Sequence, residues 1–230
     1  MSQTNDPSQD KLVLRYWNCA GRGMLMRYMA YDAGLDFIDD IVDIEEDFLS
    51  GTWENKKKFI PELAGPFKAL PVVQHHGATI NETGACAQYV AEIAGYMPMH
   101  PLDRAKVVMI CDHIYEDILI NVAYAIWGFR DWERDVVGGF AGPISGFPLK
   151  FANLEDILVG SSSGFAVGSE VSMADFAIFY IVDILTQRML KVESGPAAVK
   201  LLFGDKPAIA KHQEMMAARP NTSKYKKSAQ

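Results

Sequence analysis

The chain is short of cysteine, has no excess of positive charge and contains no long apolar run, and each shortage closes off a class of protein. Its three cysteines, Cys19, Cys86 and Cys111, fall at no paired spacing in 230 residues. Neither a disulfide framework nor a cysteine-based metal motif is therefore written into it, and no metal is expected. The setting this implies is a reducing compartment, the cytoplasm. Lys and Arg total 22 against 29 Asp and Glu, a net charge of −7. Binding a polyanion needs a concentrated basic surface. Outside the short run Lys56–Lys58, the only basic cluster is Lys224, Lys226 and Lys227, so nucleic acid is not an expected partner. No apolar stretch reaches the roughly 20 residues that a membrane helix requires, so no membrane association is expected. The first ten residues are polar and lack the apolar centre of a signal peptide, and they read as a disordered extension.

What the chain does have is a 49% hydrophobic content, ample for a buried core in one large or two small domains. The patterning changes near residue 100. Before it, strand and helix signals alternate: Lys11 to Trp17 as a strand, Arg22 to Ala33 as a helix ended by Gly34, and Phe37 to Ile44 as a second strand. After Pro101 the segments Ala105 to Gly128, Leu149 to Val159, Met173 to Leu190 and Pro207 to Ala218 carry helical periodicity and no strand signal. Gly138 to Pro148, rich in Gly and Pro, reads as a loop. The expected organisation is an extension over 1–10, an α/β module over 11–96, a linker over 97–102 and an all-α half over 103–230.

Two local motifs are sharper than the rest. Leu70 to Gln74 is an apolar, β-branched run in which Pro71 has no N–H to give a ladder, so it belongs at a strand start or an edge, and Leu70–Pro71 is a candidate cis bond. His75-His76-Gly77 then suits a hairpin into a short strand, Ala78 to Asn81. Glu82-Thr83 opens a helix ended by Gly95, with Thr83 placed as its N-cap beside amides that favour an anionic group. In the second half, Ser172-Met173-Ala174-Asp175 has the form of a capping box, with Val171 and Phe176 as the accompanying hydrophobic staple.

The order of these motifs resembles the cytosolic glutathione S-transferases over about residues 11 to 225, including Arg219-Pro220 before Tyr225. Tyr16-Trp17-Asn18-Cys19-Ala20-Gly21-Arg22 is most similar to the tyrosine-type classes, sigma and pi especially. The resemblance implies a thioredoxin-like N-terminal domain that binds glutathione as co-substrate and an all-α C-terminal domain that completes an apolar substrate site. It implies Tyr16 as the phenol that donates to the glutathione sulfur, a hydrogen bond that stabilises the thiolate nucleophile, with Arg22 assisting. Leu70 and a cis Pro71 would pair with the cysteinyl part of glutathione as an added strand does. Glu82 and Thr83 would hold the γ-glutamyl end, although many tyrosine-type members carry Gln-Ser there. Trp53 and Lys57 would reach the glycyl carboxylate. Ala69 stands where the family usually has a side chain that hydrogen-bonds the ligand, a contact either lost here or supplied by Lys68.

The resemblance further implies a homodimer, with Phe67 as an aromatic key and Asp117 reaching the partner's glutathione. Tyr124 and Trp127 would line the pocket for a small hydrophobic electrophile. Two other uses of the same parts stay open. One is an isomerase, or a thiol transferase or lyase built on Cys19, near the first helix N-terminus where a thiol pKa can fall. The other is a ligand-binding protein without catalysis.

Overall fold

The computed structural model describes residues 11–120 and 146–222. The ten-residue extension, Tyr124, Trp127, Tyr225 and the end of the helix expected to run to Gly128 lie outside the described residues. Two compact units divide the chain between Gly95 and Tyr96.

The first unit is a four-stranded mixed sheet in the order β2-β1-β3-β4, formed by β1 (Leu12–Trp17), β2 (Phe37–Val42), β3 (Val72–His75) and β4 (Ala78–Asn81). β1 and β2 are parallel, with Tyr16 beside Ile41, and helix α1 (Met24–Asp32) crosses over between them. β3 runs antiparallel to both β1 and β4. Successive side chains on β1 point to opposite faces. Leu12, Leu14 and Tyr16 share one face and are buried. Leu25 and Met29 of α1, and Cys86 and Val90 of α2 (Thr83–Ala94), are fully buried, and each of the larger apolar side chains contributes about 1.5–3 kcal/mol. On the opposite face Arg15 pairs with Asp40 at 2.7 Å and donates to the carbonyls of Glu62 and Leu63 at 2.7 and 3.0 Å.

Two-residue hairpins favour turns with positive φ at both positions. His76 and Gly77 have φ of 49° and 75°, and His75 faces Ala78 across the turn. The Leu70–Pro71 bond is cis.

Several local expectations are corrected. β2 stops at Val42 rather than Ile44, because the Asp43 carboxylate accepts from the amides of Glu45 and Glu46 at 2.8 and 2.9 Å and starts a π-helical turn, Ile44–Leu49. α1 begins at Met24 rather than Arg22: the Met24 amide donates to the Gly21 carbonyl at 3.0 Å in a tight turn, and Gly23 is the N-cap. Glu82, not Thr83, is the N-cap of α2, with φ of 70° and no side-chain cap bond, and Thr83 is the first helical residue.

The second unit is helical among the described residues: α3 (Pro101–Asp112) continuing into a π-helical turn (His113–Leu119), then α4 (Phe147–Val159), α5 (Met173–Met189), α6 (Gly195–Phe203) and α7 (Pro207–Ala217). α3 takes up Pro101, and α4 takes up Phe147 and Pro148, which the sequence suggested were linker and loop; proline is well suited to a first turn, where its missing N–H has no intrahelical partner. α5 is buried nearly all round, the behaviour of a central helix. Asp175 at its start is fully buried, and one carboxylate oxygen accepts both the amide and the hydroxyl of Ser172, at 2.8 and 2.9 Å. The other accepts from the amide of Ala166 at 2.7 Å and from His212 Nε2 at 3.1 Å. Glu155 likewise caps α7, accepting from the amides of Ala208 and Ile209, both at 2.8 Å, where the helix dipole favours an anion.

Candidate functional site

The end of β1 concentrates the chemistry of the first unit. Tyr16 lies one residue before the strand end, 4% exposed, in a cluster with Trp17, Val42, Trp53 and Ala64. Its hydroxyl oxygen accepts from the Arg22 amide at 3.0 Å. The phenol is pushed above its ordinary pKa, first by burial and then by the nearness of Cys19, against the opposing effects of the Arg22 amide and the Arg22 and Arg27 charges. At neutral pH it is therefore a protonated phenol whose oxygen already accepts one hydrogen bond and whose proton is available to an acceptor.

Arg22 reaches further. Its Nη1 donates to Thr83 Oγ1 at 3.4 Å, linking the β1–α1 turn to the start of α2. Thr83 is buried and Glu82 exposed, so the two residues nominated for one ligand end present a sheltered hydroxyl and an open carboxylate beside a helix N-terminus. Leu70, half-buried, packs on the Tyr16 cluster. The structure thus brings Tyr16 together with Arg22 and Leu70, and Arg22 with Thr83.

The other nominated residues have different surroundings. Trp53 is buried edge-to-face against Trp17, ring centroids 5.2 Å apart. Lys57 is paired with Asp47 at 2.5 Å, Lys58 with Glu54, and Lys68 lies 5.0 Å from the centre of the Phe59 ring. Phe67 exposes 66% of its surface, an apolar ring left in water. In the second unit, Asp117 accepts from His113 Nδ1 at 2.8 Å and pairs with Lys150 at 3.3 Å. Those two partners, the His113 hydrogen bond foremost, hold its carboxyl below the usual range.

Three features of the site are absent from the sequence reading. Arg27, 4% exposed, pairs with Asp39 at 2.8 Å, donates to the carbonyls of Trp17 and Tyr16 at 3.1 and 3.4 Å, and stands 5.9 Å from the Tyr16 ring centre. Its signal was a lone arginine inside the apolar run Met24 to Ala30. Asn81, also buried, donates from Nδ2 to the carbonyls of Ala64 and Ala69 at 3.0 and 2.8 Å and so anchors the loop that delivers Leu70. Gly21 and Gly23 lie against the Tyr16 ring. A cavity of about 620 Å³ opens on the opposite face of the sheet, lined by Lys11, Val13, Glu62, Gln74, His75 and Thr79, and includes none of the nominated residues.

The cysteines differ in the same physical terms. Cys86 and Cys111 are buried, and desolvation pushes both thiols up, that of Cys86 to about 12. Cys19 is half-buried at the site. Titration of the native protein with a thiol reagent is expected to find one fast-reacting cysteine, removed by Cys19→Ala, because the thiolate is the reactive form. Fast modification of Cys86 or Cys111 would contradict this packing.

Residues 146–229 match the family described as glutathione S-transferase, C-terminal domain. Probable glutathione S-transferase 6 of Caenorhabditis elegans is 26% identical over 187 residues, 80% of this chain and 84% of that protein. Glutathione S-transferase P 1 of Xenopus laevis is 25% identical over 218 residues, 94% and 92% of the two chains. Among solved structures, the glutathione S-transferase of Ascaris lumbricoides superposes with a TM-score of 0.75 at 22% identity, covering 96% of this chain and 98% of that one. Monomeric Na-GST-3 of Necator americanus gives 0.76 at 22%, covering 95% and 97%.

Proposed function

This chain is a relative of the cytosolic glutathione S-transferases, resembling the pi and sigma classes, with their thioredoxin-like first domain and helical second domain, and on that premise we propose that it joins glutathione to a small hydrophobic electrophile. The observation that carries this reading is the Tyr16 phenol. It is buried, kept protonated, and relieved of its acceptor role by the Arg22 amide, which supports its use as a donor to a sulfur anion.

The chemistry follows from those groups. The glutathione thiol loses its proton to solvent. The Tyr16 O–H then donates to the thiolate, lowering the cost of forming it, and polarisation by the Arg22 N–H strengthens that bond. The sulfur pair forms the new bond to carbon, while the leaving group departs with its electrons or, in an addition, the carbon skeleton takes up a proton. Leu70 pairs with the backbone of glutathione, Glu82 meets its ammonium group, and Thr83 with the start of α2 meets its α-carboxylate. Trp53 and Lys57 serve the glycyl end, Lys57 by leaving Asp47. Tyr124 and Trp127 supply the apolar surface for the electrophile. The organisation 11–96 for glutathione and 103–230 for the second substrate belongs to the same reading, as does a cytoplasmic homodimer with Phe67 at its interface and Asp117 as a contact to the partner's ligand, acting in detoxification.

Thiol-transferase chemistry at Cys19 is the second reading, favoured by the place of that half-buried thiol against the Tyr16 cluster. Conjugation takes precedence because Tyr16 and Arg22 are already joined.

The test is an ultraviolet titration of the protein with glutathione across pH. A thiolate band with an apparent pKa well below that of the free thiol is the expected result, and the absence of saturable binding would overturn the proposal. Glu82→Ala is expected to weaken binding about tenfold or more, through loss of a charge-assisted contact. An unaltered affinity would remove Glu82 from the site.

A further inference from the structure

The two glycines that flank Arg22 have no conformational reason to be glycine. Gly77 and Gly95 stand at φ of 75° and 77°, where side chains are disfavoured, and neither Gly21 nor Gly23 is among the glycines with positive φ. Gly23 has φ −76° and ψ −17°, ordinary helical backbone, and as N-cap of α1 it makes no side-chain cap bond. Space is what both positions lack. A Cβ on Gly23 would lie 2.4 Å from Tyr16 Cγ and 2.6 Å from its Cβ and Cδ1. A Cβ on Gly21 would lie 2.6 Å from the hydroxyl oxygen and 3.1 Å from Cε1. Between them the Arg22 amide holds the same hydroxyl. The Gly21-Arg22-Gly23 backbone therefore follows the ring from its base to its tip.

We propose that Gly23, together with Gly21, is a positioning residue: the missing side chains form the slot that fixes the direction in which the Tyr16 hydroxyl points. The proposal rests on Tyr16 being the thiolate donor. The ring is anchored at Cβ, so a push at Cγ is magnified at the far oxygen. A protein interior close-packed around the ring leaves little room to absorb it. The slot acts on the transition state through geometry, and misplacement of a reacting group by about 1 Å can cost on the order of a hundredfold.

The experiment is Gly23→Ala, measured alone and in two backgrounds. Alone, it is expected to lower kcat about tenfold or more, to raise the apparent pKa of bound glutathione toward that of the free thiol, and to leave KM for glutathione nearly unchanged. It is also expected to lower Tm. In a Tyr16→Phe background the ring remains but its hydroxyl is gone, so Gly23→Ala should lower Tm again yet cause no further loss of turnover. In a Tyr16→Gly background the ring and its Cβ are both gone, and the loss of Tm caused by Gly23→Ala should disappear.

An unchanged thiol pKa in Gly23→Ala overturns the proposal, as does a full, additive loss of turnover in Tyr16→Phe. If Gly23→Ala fails to fold, folding restored by Tyr16→Gly supports the slot and continued failure overturns it. Should Tyr16→Phe by itself leave turnover untouched, the catalytic reading falls instead, and with it the positioning role. The Tm comparison would then report only whether the ring occupies the slot.

Discussion

Replacing Tyr16 by phenylalanine is expected to lower turnover by about tenfold to a thousandfold, or ~1.4–4 kcal/mol of transition-state stabilisation, while glutathione affinity stays close to that of the native protein. The substitution keeps the ring in its buried place against Trp17, Val42 and Trp53, so the effect is confined to the hydroxyl. Two losses combine there: the thiolate gives up its donor, and the Arg22 amide gives up the acceptor it holds at 3.0 Å. Because the phenol is pushed above its ordinary pKa, it supplies a proton to share and not a phenolate base, so the mutant should show its thiolate band displaced to higher pH. The measurement is the pair of pH titrations, wild type and mutant, alongside kcat and KM. Equal turnover and an unmoved band would sink the assignment of Tyr16.

A second large effect is expected at the start of α5. Asp175→Asn should destabilise the protein by about 3–5 kcal/mol, the range for breaking a buried charged network, against a total stability that for most domains is only about 5–15 kcal/mol. The carboxylate is fully buried and accepts four donors: the Ser172 amide and hydroxyl, the Ala166 amide and His212 Nε2. An amide group of the same shape turns two hydrogens toward groups that are themselves donors, leaving buried N–H groups without acceptors. His212 amplifies the loss, since its Nδ1 has no hydrogen-bond partner among the described residues. Urea unfolding followed by circular dichroism checks the value. A change within about 0.5 kcal/mol, as for an ordinary surface site, would mean that the box does not hold this helix start.

The parts of the fold that could be read from the chain are those whose physics is local. Ser172 and Asp175 satisfy one another three residues apart, Gly77 and Gly95 stand where backbone requires them, and Pro71 marks a strand start by what it cannot donate. β1, β2 and the helical second half followed from periodicity. Misplaced ends came from side chains competing for backbone: Asp43 caps a turn that the apolar pattern continued as strand, and Glu82 rather than Thr83 takes the cap. Helix α6 was passed over although Pro196 and Gly204 bracket it. For the candidate site, Tyr16, Arg22, Leu70, Glu82 and Thr83 were nominated by resemblance and motif, yet nothing local shows that Arg22 would bond Thr83, 61 positions away. The bonds made by Arg27 and Asn81 are hidden for the same reason. Both residues bond main-chain carbonyls brought near by the fold, and a carbonyl carries no signature in a sequence.

Arg27 has one further consequence. A single guanidinium clasps the carbonyls at the end of β1 while its charge is answered by Asp39 on β2, a strand whose other edge pairs with no strand among the described residues. Substitution of Asp39 on that outer strand can therefore disturb the end of β1, where Tyr16 stands, without altering a residue of the Tyr16 cluster. With Tyr16 in the role proposed for it, evolution has here a place to tune the chemistry at arm's length, sparing the binding surface that any new activity would still need.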